Sequence, residues 1–279
     1  DRSRLFGYIS AAFGVGFVAG PALGGLLSEF DPRLPFYAAS ALAAANFLYG
    51  VFALPETLTK EHRRPFDWKR ANPVGALLTV RKLPGLLPIS GVYLAWQLAS
   101  LIYPMTWSYF TIGRYGWSNA MIGLSLALMG VSMAVTQILF SARIIARFGE
   151  RRTATIGMLG GALGMIAFAV TTNGWLAFAI MPLIAVQSLV HPCLTAMMSR
   201  RADATNQGEV QGFASSVMAV GSVIAPTLFN PALSWFTGPG APFQFYGIAF
   251  VIAATFALVG LAILFAMAPA QRPDPAIGG

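Results

Sequence analysis

The sequence predicts an all-α polytopic membrane protein, and three observations carry that prediction. Of 279 residues, 56% are hydrophobic and 10% charged, with a mean hydropathy of +0.66, against roughly 25% charged in an ordinary soluble domain. Apolar runs of about 20 residues, enough for a helix to span a bilayer, recur along the whole chain. The basic residues fall almost wholly in alternate connections between those runs, as expected of a chain with a fixed orientation in a membrane. The alternating segments of about 10 residues that would mark a transmembrane barrel do not occur.

Taken in order, the spans are Leu5–Leu27, Leu34–Leu54, Leu86–Thr111, Met121–Ile145, Thr155–Thr172, Trp175–Met198, Val210–Phe236 and Phe243–Met267. The charged cluster Asp1-Arg-Ser-Arg4 ahead of the first does not read as a signal peptide. With Asp1 at its start, the chain is expected to be a piece of a longer protein. If the N-terminus is cytoplasmic, eight spans return the C-terminus to that side. Every basic residue except Arg33 and Arg114 then lies on the cytoplasmic face, and that is the orientation the positive-inside rule selects. The net charge of +8 is thereby explained as topology, with no nucleic-acid partner needed. The longest connection, Pro55 to Gly85, carries Lys60, Arg63, Arg64, Lys69, Arg70, Arg81 and Lys82. Within it Asn72-Pro73 reads as an N-cap followed by proline at the first helical position. A short amphipathic helix on the membrane surface is expected there.

Other classes are excluded on simple grounds. Cys193 is the single cysteine, so neither a disulfide framework nor a multi-cysteine zinc site exists in the chain. His62 and His191 are the two histidines, too few for a histidine-rich metal centre. No H-E-x-x-H, P-loop or G-x-S-x-G elbow occurs, so a transporter is expected before the alternative of an integral-membrane enzyme, and no metal or bound cofactor is expected.

An internal repeat organises the spans. Gly7, Ser10, Gly16, Val18, Pro21 and Leu23 recur in register as Gly212, Ser215, Gly221, Val223, Pro226 and Leu228. Phe36-Tyr37, Ala44-Ala45 and Phe47 recur as Phe245-Tyr246, Ala253-Ala254 and Phe256. The first two helices thus return six helices later, a symmetry that transporters often carry. Residues 1–55 are expected to be the last two helices of an N-terminal six-helix half, and 56–85 the loop between halves. Residues 86–268 then make a complete C-terminal half, and 269–279 a cytoplasmic tail. About 120 residues holding four further helices are expected before Asp1.

Two six-helix halves joined by a long basic loop resemble the major facilitator superfamily. The stretch Gly16-Phe-Val-Ala-Gly20-Pro21-Ala-Leu-Gly24-Gly25 matches the G-x-x-x-G-P-x-x-G-G signature of its drug/proton antiporters. With Arg4-Leu-Phe-Gly7, Leu54-Pro-Glu-Thr57, Met197-Met-Ser-Arg200 and Gln207-Gly-Glu-Val-Gln-Gly212, it resembles the bacterial tetracycline-efflux antiporters. The resemblance covers helices five to twelve of a twelve-helix fold. It implies that the glycine helix lies between the halves. Apart from any resemblance, Gly16, Gly20 and Gly24 form a small-residue stripe that allows close helix approach, and Pro21 favours a kink. The loop Ala146-Arg-Phe-Gly-Glu-Arg-Arg152 resembles a cytoplasmic G-x-x-x-D-R-x-G-R-[RK] motif through Arg147, Gly149, Arg151 and Arg152. Ala146 replaces its Asp and Glu150 its Arg. The resemblance makes Arg147 part of a charge network; simple positive-inside anchoring remains the other reading.

Polar side chains inside a membrane bundle are default site candidates. In the third span Tyr93, Gln97, Ser100, Pro104, Trp107 and Thr111 recur at helical spacing; in the fourth, Ser125, Ser132, Thr136 and Gln137 do so. Asn46, Gln187 and His191 add polar atoms elsewhere. Gln97 and Gln137 stand out because a primary amide both donates and accepts. Trp107 also reads as part of an aromatic belt with Tyr109, Tyr115 and Trp117. His191, next to Pro192, reads either as a titrating group or as a neutral histidine satisfied by a neighbouring helix. No Asp or Glu lies inside a span. The resemblance implies a His in helix eight and an Asp in helix nine, where Met133 and Gly161 stand, so either the coupling acids lie outside this chain or the protein differs in mechanism. The expectation is a monomeric exporter in the bacterial inner membrane. It carries a hydrophobic or amphipathic, tetracycline-like drug in exchange for protons, and a metal ion only as part of the cargo. Another drug, sugar or metabolite fits the same fold.

Overall fold

The computed structural model describes residues 16, 19–53, 85–201 and 207–267, with backbone alone at 207–209. All regular structure among these residues is helical. Six helical stretches are long and apolar enough to cross a membrane, and one of them, Asn119–Val170, holds two spans. The first expected span is described only in its second part. The expected surface helix after Asn72-Pro73 and the tail 269–279 lie outside the described residues.

Helix α1 (19–30) passes to α2 (Leu34–Ala53) through Asp31-Pro32-Arg33. Asp31 makes the turn, its Oδ1 accepting the Arg33 N–H at 2.7 Å, as an Asx-turn requires. None of α2 is buried. Helices α3 (Leu86–Ser100) and α4 (Ile102–Tyr115) form one span, stepped at Leu101. The step has a local cause: Pro104 has no N–H to offer the Ser100 carbonyl. Gly116, at φ +66°, closes α4, and the Ser118 hydroxyl accepts the Met121 N–H at 3.3 Å to open α5 (Asn119–Val135).

A π-helical segment, Thr136–Phe140, links α5 to α6 (Ser141–Val170). Inside α6, Gly149 adopts φ +75° and ψ 165°, a region open essentially to glycine alone. The chain turns there, which separates the fourth expected span from the fifth. Asn173 caps α7 (Gly174–Ile184), accepting the Trp175 N–H at 2.9 Å. A 3₁₀ segment, Ala185–Leu189, leads into α8 (Val190–Ser199). Pro192 cannot donate to the Ser188 carbonyl, so the backbone tightens just before it. Helices α9 (Gln207–Thr237) and α10 (Ile248–Ala266) complete the bundle.

Residues of α3 to α10 share one core, in which Trp96, Trp107, Phe110, Phe168 and Phe250 are fully buried. In a bilayer such helices associate through close packing rather than by escape from water. Glycines make the closest approaches. A Cβ on Gly161 would stand 2.6 Å from the Trp96 ring, one on Gly157 2.6 Å from Val190, and one on Gly164 2.3 Å from Ile184. Helix α1 meets this bundle on α5: a Cβ on Gly25 would lie 2.9 Å from the Gly123 Cα. Glu29 fixes the approach, its Oε1 accepting the Ala120 N–H at 2.8 Å, where a carboxylate also suits the helix N-terminus.

Candidate functional site

One stripe of α3 and α4 faces α9, and the cavities lie along that seam. Towards the basic end of the bundle, which carries Arg151, Arg152, Arg200 and Arg201, a cavity of about 590 Å³ opens. Its walls are Tyr93 from α3, His191, Thr195 and Ser199 from α8, and Gln211 and Met218 from α9. The Tyr93 and His191 rings meet edge to face, with centroids 5.3 Å apart and planes at 79°. Pro192 and the preceding 3₁₀ turn lie at the start of α8, beside His191. Towards the other end a second cavity, of about 440 Å³, lies between Tyr109, Asn230, Ser234, Thr237 and Tyr246.

Gln97 stands between them. It is buried, and its Cγ would be 2.9 Å from a Cβ on Gly221, with Leu101 beside it at 3.5 Å. Gly221 therefore lets α9 close on Gln97 and Leu101, and the closure separates the two cavities. The Gln97 side-chain oxygen, Oε1, has no hydrogen-bond partner among the described residues. An orphaned buried acceptor is uncommon enough to need a reason, and here the group sits on the seam between two open volumes.

The remaining candidates scatter. Ser100 bonds locally, its hydroxyl donating to the Gln97 backbone carbonyl at 3.0 Å. Trp107 lines neither of these two cavities: it is buried, and its indole N–H donates to Ser125 at 2.9 Å. Its ring packs on Phe168 at 5.1 Å and Phe250 at 6.0 Å, so Trp107 is a core residue. Gln187 is buried on the 3₁₀ segment and donates to the Tyr103 hydroxyl at 3.4 Å. Asn46 is exposed on α2, away from the cavity walls. Gln137 is exposed on the π segment, its backbone carbonyl accepting the Ser141 hydroxyl.

The glycine motif lies where two packed elements meet, though not through the expected stripe. A Cβ on Gly16, Gly20 or Gly24 would meet nothing within 4 Å. The contact runs one residue over, through Pro21 and Gly25: a Cβ on Gly123 would be 2.7 Å from the Pro21 carbonyl oxygen. Gly24 and Gly25 also line a cavity of about 240 Å³ with Ser28, Ser108 and Asn119.

At the basic end the loop residues divide the work. Arg147 is exposed, with its guanidinium 5.5 Å from the neighbouring Phe148 ring. Gly149 supplies the turn. Arg151 caps the end of α10, donating to the carbonyls of Leu264 at 2.7 Å and Met267 at 2.6 Å. Arg152 is exposed. The ion pair among described residues is Glu150 to Arg200, at 2.8 Å. Burial first, and then the charge of Arg151, pull the Arg201 guanidinium below its usual range.

Sequence reasoning missed Thr195, Ser199, Gln211 and Met218. Thr195 and Ser199 follow His191 by one and two helical turns, so the polar face of α8 was available to find. The part of α9 could not be found that way, because nothing in its pattern says which helix it faces.

Comparison with known proteins places the chain. A match to the Major Facilitator Superfamily covers residues 1–114 and again 90–278. The chain is 36% identical over 264 residues to "Tetracycline resistance protein, class C" of Escherichia coli, covering 95% of this chain and 65% of that protein. It is 33% identical over 264 residues to "Tetracycline resistance protein, class G" of Vibrio anguillarum, covering 95% and 66%. It is 29% identical over 234 residues to "Multidrug resistance protein 2" of Bacillus subtilis (strain 168), covering 82% and 57%. The chain thus spans just under two thirds of the length of the first two relatives. Two matches of one family along one chain, on an all-helical bundle with helices fit to cross a membrane, identify it: the chain belongs to the major facilitator superfamily.

Proposed function

We propose that the protein is a secondary active transporter that exports an amphipathic, tetracycline-like drug in exchange for protons, by alternating access. It sits in the bacterial inner membrane as a monomer, with the basic end cytoplasmic. The observation that carries this reading is the seam between α3/α4 and α9. Two cavities open towards opposite ends and are divided by the closure of Gln97 and Leu101 on Gly221. A path that is open at both ends and shut between them suits a cargo handed across a membrane. The similarity to tetracycline resistance proteins supports the cargo class. The proton gradient is the energy source, no bound cofactor takes part, and a metal ion enters only with the drug.

The complete protein, expressed in a tetracycline-sensitive bacterium, should raise tolerance, and a protonophore should abolish export from loaded cells. Likeness to a multidrug resistance protein favours a second reading, in which the same fold exports another drug, sugar or metabolite. Unchanged tetracycline tolerance with transport of an unrelated compound would decide for that reading.

A further inference from the structure

His191 is the one imidazole among the described residues, and it lies inside the span Gly174–Ser199, about two helical turns from its basic end. It is partly open to the cavity of about 590 Å³. An ionisable group inside a membrane bundle is expensive and is therefore a functional candidate. A structural histidine would have a ring nitrogen held by a neighbouring helix. Among the described residues His191 has no such bond; its ring contact is the edge-to-face meeting with Tyr93. The cavity wall around it is uncharged and mostly apolar: Tyr93, Thr195, Ser199 and Gln211 bring polar atoms, and Pro192, Ala196 and Met218 apolar surface. Cys193, the other titratable group of α8, is buried. The described charges on packed elements, Arg143, Arg147, Glu150, Arg151 and Arg152 of α6 and Arg200 and Arg201 beyond α8, belong to the basic end, and none of them lines the cavity. No described carboxylate reaches the cavity to neutralise an imidazolium.

We propose that His191 is the proton-binding residue of the cavity in this half of the protein, and that its protonated form and the bound cargo exclude one another. The inference rests on the exporter reading and deepens it. A proton entering the empty, wet cavity adds to a ring nitrogen lone pair and gives an imidazolium, which water in the cavity solvates. Cargo that fills the cavity displaces that water. It leaves a cation without a counter-charge in a low-dielectric site, so the proton returns to solvent and the neutral ring remains. Exclusion of this kind is an antiport rule: proton and cargo bind alternately at one place. By linkage, cargo lowers proton affinity by the same factor by which the proton lowers cargo affinity.

The test uses the complete protein in membrane vesicles. Diethyl pyrocarbonate modifies the neutral imidazole, and mass spectrometry of the peptide containing His191 reads its extent across the range of about pH 5 to 8 in which histidine titrates. Modification should rise with pH along a single titration curve. Saturating tetracycline should move the midpoint down by about one pH unit, within the five- to 150-fold range typical of coupling, whatever shielding does to the plateau. No modification at any pH, or a midpoint that tetracycline leaves in place, overturns the proposal. His191→Gln keeps hydrogen bonding and removes titration. It should reduce export driven by a pH gradient by about tenfold while tetracycline exchange without a gradient continues. Gradient-driven export at the unsubstituted rate also overturns the proposal. Loss of both activities in His191→Gln returns the decision to the titration curve of the unsubstituted protein. Absence of tetracycline export from the unsubstituted protein defeats the exporter reading instead; the midpoint without cargo then decides for His191, and a flat profile defeats it.

Discussion

Gln97 and Gln187 carry the same amide at 5% and 4% exposure, yet their surroundings differ. Both leave the amide oxygen without a described partner, but the Gln187 amide N–H donates to Tyr103 across the bundle, whereas Gln97 lies on the seam between two cavities. Gln187→Ala leaves the Tyr103 hydroxyl without its partner and should cost about 1 kcal/mol of stability, read as a lower melting point in detergent, with a smaller loss of transport. Gln97→Ala should do the reverse, lowering transport more than the melting point; equal effects in the two variants would remove Gln97 from the transport path. The sequence makes both visible as polar residues inside spans. It does not distinguish them, because a partner on another helix sets the role of each. The same limit explains Trp107, whose place in a polar stripe gives no hint that Ser125 takes its N–H.

At the scale of elements, the described spans were legible but their ends were not, since length and apolarity decide that a chain crosses a bilayer while the helices themselves run on to Tyr115 or start only at Ile248. What the sequence does not display is where helices depart from regular geometry. The π segment Thr136–Phe140 and the 3₁₀ segment Ala185–Leu189 lie against each other. Irregular backbone at membrane depth survives only where protein or a wet cavity satisfies it. The 3₁₀ turn has a readable cause in Pro192; the π segment has none, and we find no residue that accounts for it. Pro192→Ala restores an N–H to the Ser188 carbonyl and removes a residue costing about 3 kcal/mol in a regular helix interior. The variant should melt higher and transport more slowly, the usual exchange of activity for rigidity. Higher stability with unchanged transport would show that the tightened turn has no part in function.

Across the whole molecule, charge was the most legible feature, and it is concentrated where the connections are. Within that basic end, Glu150 reaches Arg200 and Arg151 reaches the end of α10, so connections distant in sequence are fastened together. The motif resemblance pointed to Arg147, but that side chain is exposed, and the pair uses Glu150, the position where this chain departs from the motif. Arg200 is 76% exposed, so the pair should be worth little. A double-mutant cycle of Glu150→Gln and Arg200→Ala should give a coupling of about 0.2–1 kcal/mol that shrinks with added salt; a salt-insensitive coupling of several kcal/mol would mean that the pair is shielded from solvent.

The meeting of α1 with α5 has a mechanical consequence. Helices ordinarily interlock, side-chain ridges of one lying in grooves of the other, and moving one past another means lifting every ridge out of its groove. Gly25 and Gly123 bring bare backbone against bare backbone, with Glu29 as a tether at one end. Such a joint resists being pulled apart but offers little friction to a small slide or rotation. It is a bearing between two parts of the molecule, and even one methyl group on either face would turn it into a catch.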